Sequence, residues 1–274
     1  MSTILYSQKI TTESRNPSKE LITKGLVLTK SNELTSDFKP AIGPGSAGGF
    51  PPYRLLLATS GDGTNWTRSN IVLGDRSSVA DGVVLPSGRI LMYYVAGAKI
   101  INGKEQNAND IVVALSDNNG KSWIYKDVLF NNIPSGATKP VDPNVVLLAN
   151  GDIYMLVTID PDQAGPMKPS TYSAISTNGG LTFNILDKVF SITNTDILDP
   201  ENFRFSSNDW KLWSGGLPGK NILGLSTNNG STFSSQGEFC LGTSDDPSRC
   251  YVVSDVLKVN ENEYRIYAFG PMGT

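Results

Sequence analysis

The sequence of 274 residues contains no histidine and only two cysteines. Without histidine the chain cannot form a Ser-His-Asp or Cys-His triad, or a zinc site with imidazole ligands. Acid–base chemistry would therefore have to use carboxylates, tyrosine or lysine. Cys240 and Cys250 lie in a polar stretch, and their spacing alone leaves both a disulfide and two free thiols open.

Charged residues are also scarce, at 18% of the chain, and the formal net charge is -3. A nucleic-acid ligand would call for a basic patch, so we expect none. No apolar run approaches the roughly 20 residues of a membrane-spanning helix, and we expect no membrane span. The first ten residues lack the apolar core of a signal peptide, so no leader is recognised.

A repeated eight-residue pattern dominates the sequence. Residues 116–123 read SDNNGKSW, with close copies at 176–183 and 226–233 and a looser copy at 59–66. The copies are spaced by 50 to 60 residues, a period typical of propellers and solenoids. The glycine in each copy suits a turn that needs a positive φ angle, which predicts a hairpin turn between two outer strands. We expect the aromatic residue that ends each copy to be mostly buried: Trp66, Trp123, Phe183 and Phe233.

The pattern resembles the Asp-box, or bacterial neuraminidase repeat, of sialidase-like β-propellers; Ser116, Asn118, Gly120, Ser122 and Trp123 match it best. This resemblance implies a propeller fold, and it implies no activity, because Asp-boxes lie on the blade periphery. No stretch shows a 3.6-residue apolar period, so we expect almost no helix. The predicted fold is all-β: a five-bladed β-propeller in a single domain. Its blades span about 24–75, 76–133, 134–192, 193–243 and 244–274. The N-terminal segment 4–10 would close the last blade, unless the natural chain continues further.

Four aspartates and one lysine precede the predicted first strands at intervals of 56 to 61 residues: Lys24, Asp81, Asp142, Asp199 and Asp255. First strands line the channel of a propeller, so these side chains are predicted to form a ring at one mouth. Carboxylates held close together raise one another's pKa, which suits an acid and a base. Two alternatives stay open: turn-holding aspartates, and oxygen ligands of a bound calcium ion. No other cofactor is expected.

Asp142-Pro143 and Asp199-Pro200-Glu201 also resemble the inner-strand openings of five-bladed furanosidases such as arabinanases and β-xylosidases. In that family three carboxylates act as base, pKa modulator and acid. By this resemblance Asp142 and Asp81 take the ionised roles, and Glu201, beside Asp199, is the acid. Candidate substrate-binding residues are Lys24, Arg204, Asp255 and Arg265, and residues 99–107 and 160–171 are predicted rim loops.

The leading functional hypothesis is glycoside hydrolysis by carboxylates at the channel mouth, with carbohydrate as the partner. A non-catalytic glycan-binding or scaffold propeller is the alternative from another class. An exo-sialidase is a narrower alternative, because the nearest string to the arginine motif of sialidases, residues 53–56, lacks its proline. A secreted or cell-envelope location is suspected.

Overall fold

The computed structural model describes residues 34–43, 53–216, 220–241 and 251–269. Lys24 and the N-terminal segment predicted to close the fifth blade lie outside these ranges. Every regular element within them is a β-strand, which confirms the all-β prediction. The same ranges contain no helix that is long and apolar enough to cross a membrane.

The chain forms two compact units. One contains the described residues up to Phe130 together with Leu147–Tyr154 and Ser176–Phe183. The other contains Asn131–Val146, Met155–Ile175 and the described residues from Asn184 onward.

The described strands form five sheets that follow the order of the chain, apart from two short edge strands. The second sheet contains β4 to β7 and also pairs β1 with the far part of β5; the third contains β9 to β12, with β8 on the edge of β12. The fourth contains β13 to β16, whereas the first and fifth each pair two strands, β2 with β3 and β17 with β18. The bounds are β1 (Lys39–Pro40), β2 (Arg54–Thr59), β3 (Thr67–Asp75), β4 (Ser77–Val84), β5 (Ile90–Ile101), β6 (Lys104–Ser116), β7 (Ile124–Asp127), β8 (Leu129–Asn131), β9 (Val141–Leu147), β10 (Ile153–Ile159), β11 (Ser170–Ser176), β12 (Thr182–Phe190), β13 (Ile197–Ser206), β14 (Asp209–Gly216), β15 (Lys220–Ser226), β16 (Ser234–Phe239), β17 (Val252–Asn260) and β18 (Glu263–Phe269).

Two segments differ from the sequence-based expectation. Residues 99–107 were predicted as a rim loop, but they extend the β5–β6 hairpin around a tight turn at Asn102 and Gly103, so that prediction is wrong. Both turn residues have positive φ angles, 52° and 75°, as a two-residue hairpin turn requires. Residues 129–131 were grouped with the second repeat, yet they pair with β12 of the third sheet.

Burial explains why the middle strands hold the sheets together. All seven residues of β10, which reads IYMLVTI, are buried. A continuous run of β-branched and large apolar side chains suits a strand that is covered on both faces. Strand β5 has nine consecutive buried residues within its twelve and plays the same part in the second sheet.

The repeated eight-residue segments connect the last two strands of the second, third and fourth sheets, as predicted. In each, the first serine accepts a hydrogen bond from the backbone N–H of the glycine four residues later, at 2.9 Å for Ser116, 2.9 Å for Ser176 and 3.1 Å for Ser226. These glycines have φ angles between 76° and 90°. The looser first copy is one residue tighter, because Ser60 replaces Thr59 as the serine that accepts from Gly63.

The aromatic residues that end these segments pack to different extents. Phe183 and Phe233 are buried, which confirms the prediction for them, whereas Trp66 and Trp123 are partly exposed. Below Phe183, the Tyr93 hydroxyl donates a 2.9 Å hydrogen bond to the carbonyl oxygen of Gly180. The turn of the third sheet is thus the most tightly packed of the four.

Candidate active site

The first strands of the third and fourth sheets begin with an irregular backbone. Asp142 in β9 and Asp199 in β13 have positive φ angles of 54° and 47°, which few residues other than glycine adopt and which Asp and Asn tolerate best. Each is followed by a buried proline, Pro143 or Pro200, a residue without an N–H group that sheets accommodate at bulges. The two aspartates therefore occupy the same position in successive first strands.

The register of β13 against β14 defines this position. Leu198 pairs with Gly215 and Glu201 pairs with Trp213, so two residues of β13 stand opposite a single residue of β14. Asp199 lies inside this bulge and Glu201 lies directly after it. A bulge re-aims the side chains next to it, and bulges are common beside active sites.

The same register corrects the expectation that four aspartates are equivalent. Asp81 pairs with its partner strand directly after the bulge of β4, whose positive-φ residue is Val79. Asp255 also follows a register shift, in β17. Asp81 and Asp255 thus correspond to Glu201 and not to Asp199. The predicted equivalence is wrong because a bulge adds residues that spacing along the chain does not reveal.

Asp142 and Asp199 lie together in one unit. An Asp142 carboxylate oxygen, Oδ2, accepts a hydrogen bond of 3.5 Å from the backbone N–H of Asp199. Both side chains are half-buried, so they sit where desolvation is strong but solvent still has access. Burial, followed by the charge of Asp142, raises the pKa of Asp199 to about 7. Burial also raises the pKa of Asp142, while the Thr158 hydroxyl and the Asp199 N–H oppose that rise.

These shifts give the pair two different protonation states near neutral pH. Asp142 is the carboxyl with stabilising donors, and its charge acts on Asp199, which therefore retains the proton. A pair of carboxyls that share a proton in this way is the arrangement that acid–base catalysis uses.

A buried amide network supports the pair. Asn144 Nδ2 donates a 2.6 Å hydrogen bond to Glu201 Oε2. Its other side-chain atom, Oδ1, accepts from the backbone N–H of Asn202 at 3.1 Å and also from the Asn202 side-chain amide. All three residues are buried. Since hydrogen-bonded buried amides hold one geometry, this network fixes β9 against β13 just behind the aspartates.

Asp81, the fourth predicted catalytic residue, belongs to the other unit. It is buried, and its Oδ1 accepts a 2.6 Å hydrogen bond from the N–H of Gly82. Such a local contact is what the turn-holding alternative requires. Asp255 is half-buried in β17.

The predicted substrate-binding arginines make other contacts. The guanidinium carbon of Arg204 lies 5.8 Å from the ring centroid of Trp210, its cross-strand partner. Arg265 forms a 3.4 Å ion pair with Glu263, close to the β17–β18 hairpin turn. These contacts favour packing and surface roles for both arginines.

The arginine of the string at residues 53–56 is also engaged. Arg54 forks onto the Asp75 carboxylate through Nε and Nη2, the latter at 2.8 Å from Oδ2. This hydrogen bonding lowers the pKa of Asp75. Charge-assisted forks of this kind are strong and directional, so Arg54 stabilises the first sheet and is occupied by Asp75.

The loops at the Asp142 end of the third sheet are tied to each other. Thr138 N–H donates to the Asp160 carbonyl oxygen at 2.9 Å, and Gln163 N–H donates to the Gly136 carbonyl oxygen at 2.9 Å. The buried Asp160 carboxylate accepts from the N–H of Lys168 at 3.1 Å. Residues 160–169 lie outside the strands, as predicted, and form an ordered rim beside the entry of β9.

A metal-binding role finds no support in the described residues. None of their acidic and cysteine side chains form a group of three or more that could hold a metal ion. The calcium alternative therefore has no candidate ligand set in this part of the chain.

Three residues of the site were missed by the sequence reasoning: Asn144, Thr158 and Gly215. A signal for them was present. Asn144 precedes Glu201 by the same 57 residues that separate Asp142 from Asp199, and Thr158 precedes Gly215 by 57 as well. A comparison of the third and fourth repeats position by position, with no carboxylate required, would have found them.

The raised pKa of Asp199 predicts a pH-dependent cost to stability. The folded state binds this proton more tightly than the unfolded state, whose pKa is close to 3.8. The free energy of unfolding should therefore fall as pH rises from about 4 to about 7. Asp199→Asn removes this effect and should be more stable than the wild type by about 1–3 kcal/mol at pH 8, and equally stable near pH 4. Urea denaturation at both pH values measures the difference.

A double variant serves as the control. In an Asp142→Asn background the charge that raises the pKa of Asp199 is absent, so Asp199→Asn should gain less at pH 8. Identical pH dependence of the wild type and Asp199→Asn would show that Asp199 does not titrate in this range.

Neither a protein-family model nor a curated protein matches the sequence. Solved structures with a similar fold include a protein of unknown function from Dyadobacter fermentans, with a TM-score of 0.55 and 19% identity over 81% of this chain and 66% of that one. They also include a glycoside hydrolase family 43 β-1,3-galactosidase, with a TM-score of 0.54 and 13% identity over 77% and 46%. A thermostable family-43 glycoside hydrolase has a TM-score of 0.52 and 12% identity over 72% and 64%.

The chain thus spans between 46% and 66% of the length of these structures. At this level of identity the likeness is one of fold.

Proposed function

We propose that the protein is a carbohydrate-active β-propeller that hydrolyses glycosidic bonds with the Asp142–Asp199 pair. One observation carries the proposal: two half-buried carboxyls share a bulge position on neighbouring strands, and one tends to hold a proton while the other is charged. Glycoside hydrolysis needs one protonated and one ionised carboxyl beside the scissile bond.

The fold supports the same proposal. Five sheets succeed one another along the chain, and two of the solved structures with a similar fold are family-43 glycoside hydrolases. We propose a single five-bladed propeller in which the segment from Lys24 completes the first sheet and the N-terminal segment completes the fifth. The recurring turns would then be Asp-boxes on the blade periphery.

In the proposed reaction the Asp199 carboxylic acid donates its proton to the glycosidic oxygen. The bond between that oxygen and the anomeric carbon breaks, and the bonding electrons stay on the departing oxygen. The Asp142 carboxylate either attacks the anomeric carbon or removes a proton from the water that does so, and the separation of the two carboxyls decides which. A bond to water then completes the hydrolysis, and the proton returns to Asp199.

The other predicted site residues take supporting roles in this proposal. We assign the acid to Asp199 instead of Glu201, because Glu201 is buried and already accepts from Asn144. Glu201 would hold the strand that carries Asp199. Asp81, Asp255 and Lys24 remain predicted contacts for sugar hydroxyl groups at the mouth.

A non-catalytic glycan-binding propeller is the second candidate. It is favoured by the local hydrogen bond of Asp81, which shows that at least one of the predicted catalytic aspartates can hold its own turn. The exo-sialidase alternative is weaker, since Arg54 is engaged by Asp75.

A secreted or cell-envelope location is also part of the proposal. Cys240 is disulfide-bonded, and the sequence contains one other cysteine. Disulfides persist in oxidising compartments, where enzymes that act on extracellular glycans work.

The test is a screen of aryl arabinofuranosides, xylosides, galactosides and neuraminides between about pH 5 and pH 8, together with a glycan array. Release of the aryl group from a neutral glycoside supports the proposal. Binding without turnover selects the glycan-binding alternative, and hydrolysis of neuraminides alone selects the sialidase. If neither binding nor hydrolysis occurs, the carbohydrate assignment is overturned.

A further inference from the structure

The two aspartates of the pair differ in the residue that faces them across their own hairpin. Thr158 lies in β10 and Gly215 in β14, each sixteen residues after the aspartate of its sheet. Gly215 pairs with Leu198, next to the bulge. The third and fourth sheets thus share one arrangement, in which only the side chain at this position differs.

Beside Asp142 this position carries a hydroxyl group. Thr158 is 2% exposed, and among the described residues its Oγ1 finds no hydrogen bond of regular geometry. The hydroxyl nevertheless lies close enough to Asp142 to lower the pKa of that carboxyl. A donor that is buried and has no better acceptor is available to a negative charge on Asp142.

Beside Asp199 the same position is empty. A Cβ atom built on Gly215 would lie 3.7 Å from Asp199 Oδ2 and 3.8 Å from Asp199 Cβ, which is ordinary van der Waals contact. Position 215 therefore faces the carboxyl directly but offers it no donor.

The charges around the pair do not otherwise separate the two residues. Within the described part of the chain, Asp142 is the charged group that acts on Asp199, and no lysine or arginine contributes to the pKa shift of either carboxyl. Glu201 is the third carboxylate on these strands, and Asn144 donates to it.

We propose that the residue across the hairpin assigns the two roles: the Thr158 hydroxyl keeps Asp142 charged, and the absence of a side chain at Gly215 leaves the proton on Asp199. Thr158 is then a positioning residue that acts through Asp142. The inference rests on the proposed function, since acid and base roles matter only for such chemistry.

The experiment titrates the aspartate carboxyl carbons by ¹³C NMR in the full chain. Signals are assigned with the Asp142→Asn and Asp199→Asn variants. Thr158→Val removes the hydroxyl at nearly constant shape and should increase the proton affinity of Asp142 about tenfold, which is about one pKa unit. Gly215→Ser places a hydroxyl within reach of Asp199 Oδ2 and should lower the proton affinity of Asp199 by a similar factor.

Thr171→Val is the matched control. Thr171 is also fully buried in the same unit, and among the described residues its hydroxyl likewise has no regular hydrogen bond. Its removal should leave both titrations unchanged.

A second readout separates this inference from the proposed function. With a hydrolysed substrate, the acidic limb of the kcat/KM profile should move up in Thr158→Val, and the alkaline limb should move down in Gly215→Ser. Unchanged carboxyl titrations in both variants overturn the inference even if the enzyme is active. Shifted titrations in a protein that hydrolyses no glycoside support the role of Thr158 and overturn only the proposed function.

Discussion

Asp142→Asn is expected to lower kcat at least about a hundredfold, in line with the usual loss of an acid–base group. The substitution removes the charge that would act on the sugar or on water, and it keeps the shape of the side chain. It should also spare the backbone, because Asp142 has a φ angle of 54° and asparagine adopts this conformation as readily as aspartate does. The melting temperature should therefore stay close to that of the wild type. Steady-state kinetics on the glycoside found in the screen, combined with thermal denaturation, measure both effects.

Asp152→Asn is the matched control for this variant. Asp152 lies in the turn between β9 and β10, at the other end of the same strand, where its side chain accepts a hydrogen bond from Asn150. Its replacement should leave kcat unchanged. Full activity of Asp142→Asn would remove Asp142 from the mechanism. Loss of folding in this variant alone would return Asp142 to a structural role in its bulge.

Phe183→Ala is expected to lower the free energy of unfolding by about 3–5 kcal/mol, the usual cost of deleting a buried aromatic side chain. Phe183 is fully buried and packs against two rings, edge-on to Tyr93 at 5.7 Å between centroids and stacked on Phe130 at 5.8 Å. Its removal leaves a cavity beside the Gly180 turn. Gly180 has no room to close it: a Cβ there would lie 2.9 Å from the Ile153 side chain. Urea denaturation followed by tryptophan fluorescence measures the loss.

Leu186→Ala, in the same strand, provides the comparison. Leu186 is 51% exposed and should cost less than about 1 kcal/mol. If Phe183→Ala costs no more than Leu186→Ala, the turn of the third sheet does not depend on its aromatic residue. The burial of this ring would then have no energetic meaning.

The two larger predictions test different parts of the molecule. Phe183 belongs to a recurring turn that holds the last two strands of a sheet together, and its effect should appear in stability alone. Asp142 belongs to a bulge at the start of a first strand, and its effect should appear in turnover alone. A propeller that had kept its fold and lost its activity would show the first effect without the second.

The sequence by itself determined the strand class, the repeat and the turns. Glycine at a fixed place in each eight-residue copy, preceded by short polar side chains, specifies a turn through local sterics and local hydrogen bonds, as at Ser116 and Gly120. Such interactions span only a few residues, so the sequence pattern contains all that they need. The same reasoning identified Asp142 and Asp199, because each stands before a proline at one interval in the chain.

Only the tertiary structure decided which carboxyls form a pair and how they differ. The bulges shift Asp81 and Asp255 into the register of Glu201, and a bulge depends on pairing between strands that the spacing of residues does not record. The difference between Asp142 and Asp199 comes from Thr158 and Gly215, sixteen residues away in sequence and adjacent only after the hairpin has formed. Protonation depends on burial and on neighbouring dipoles, and folding creates both.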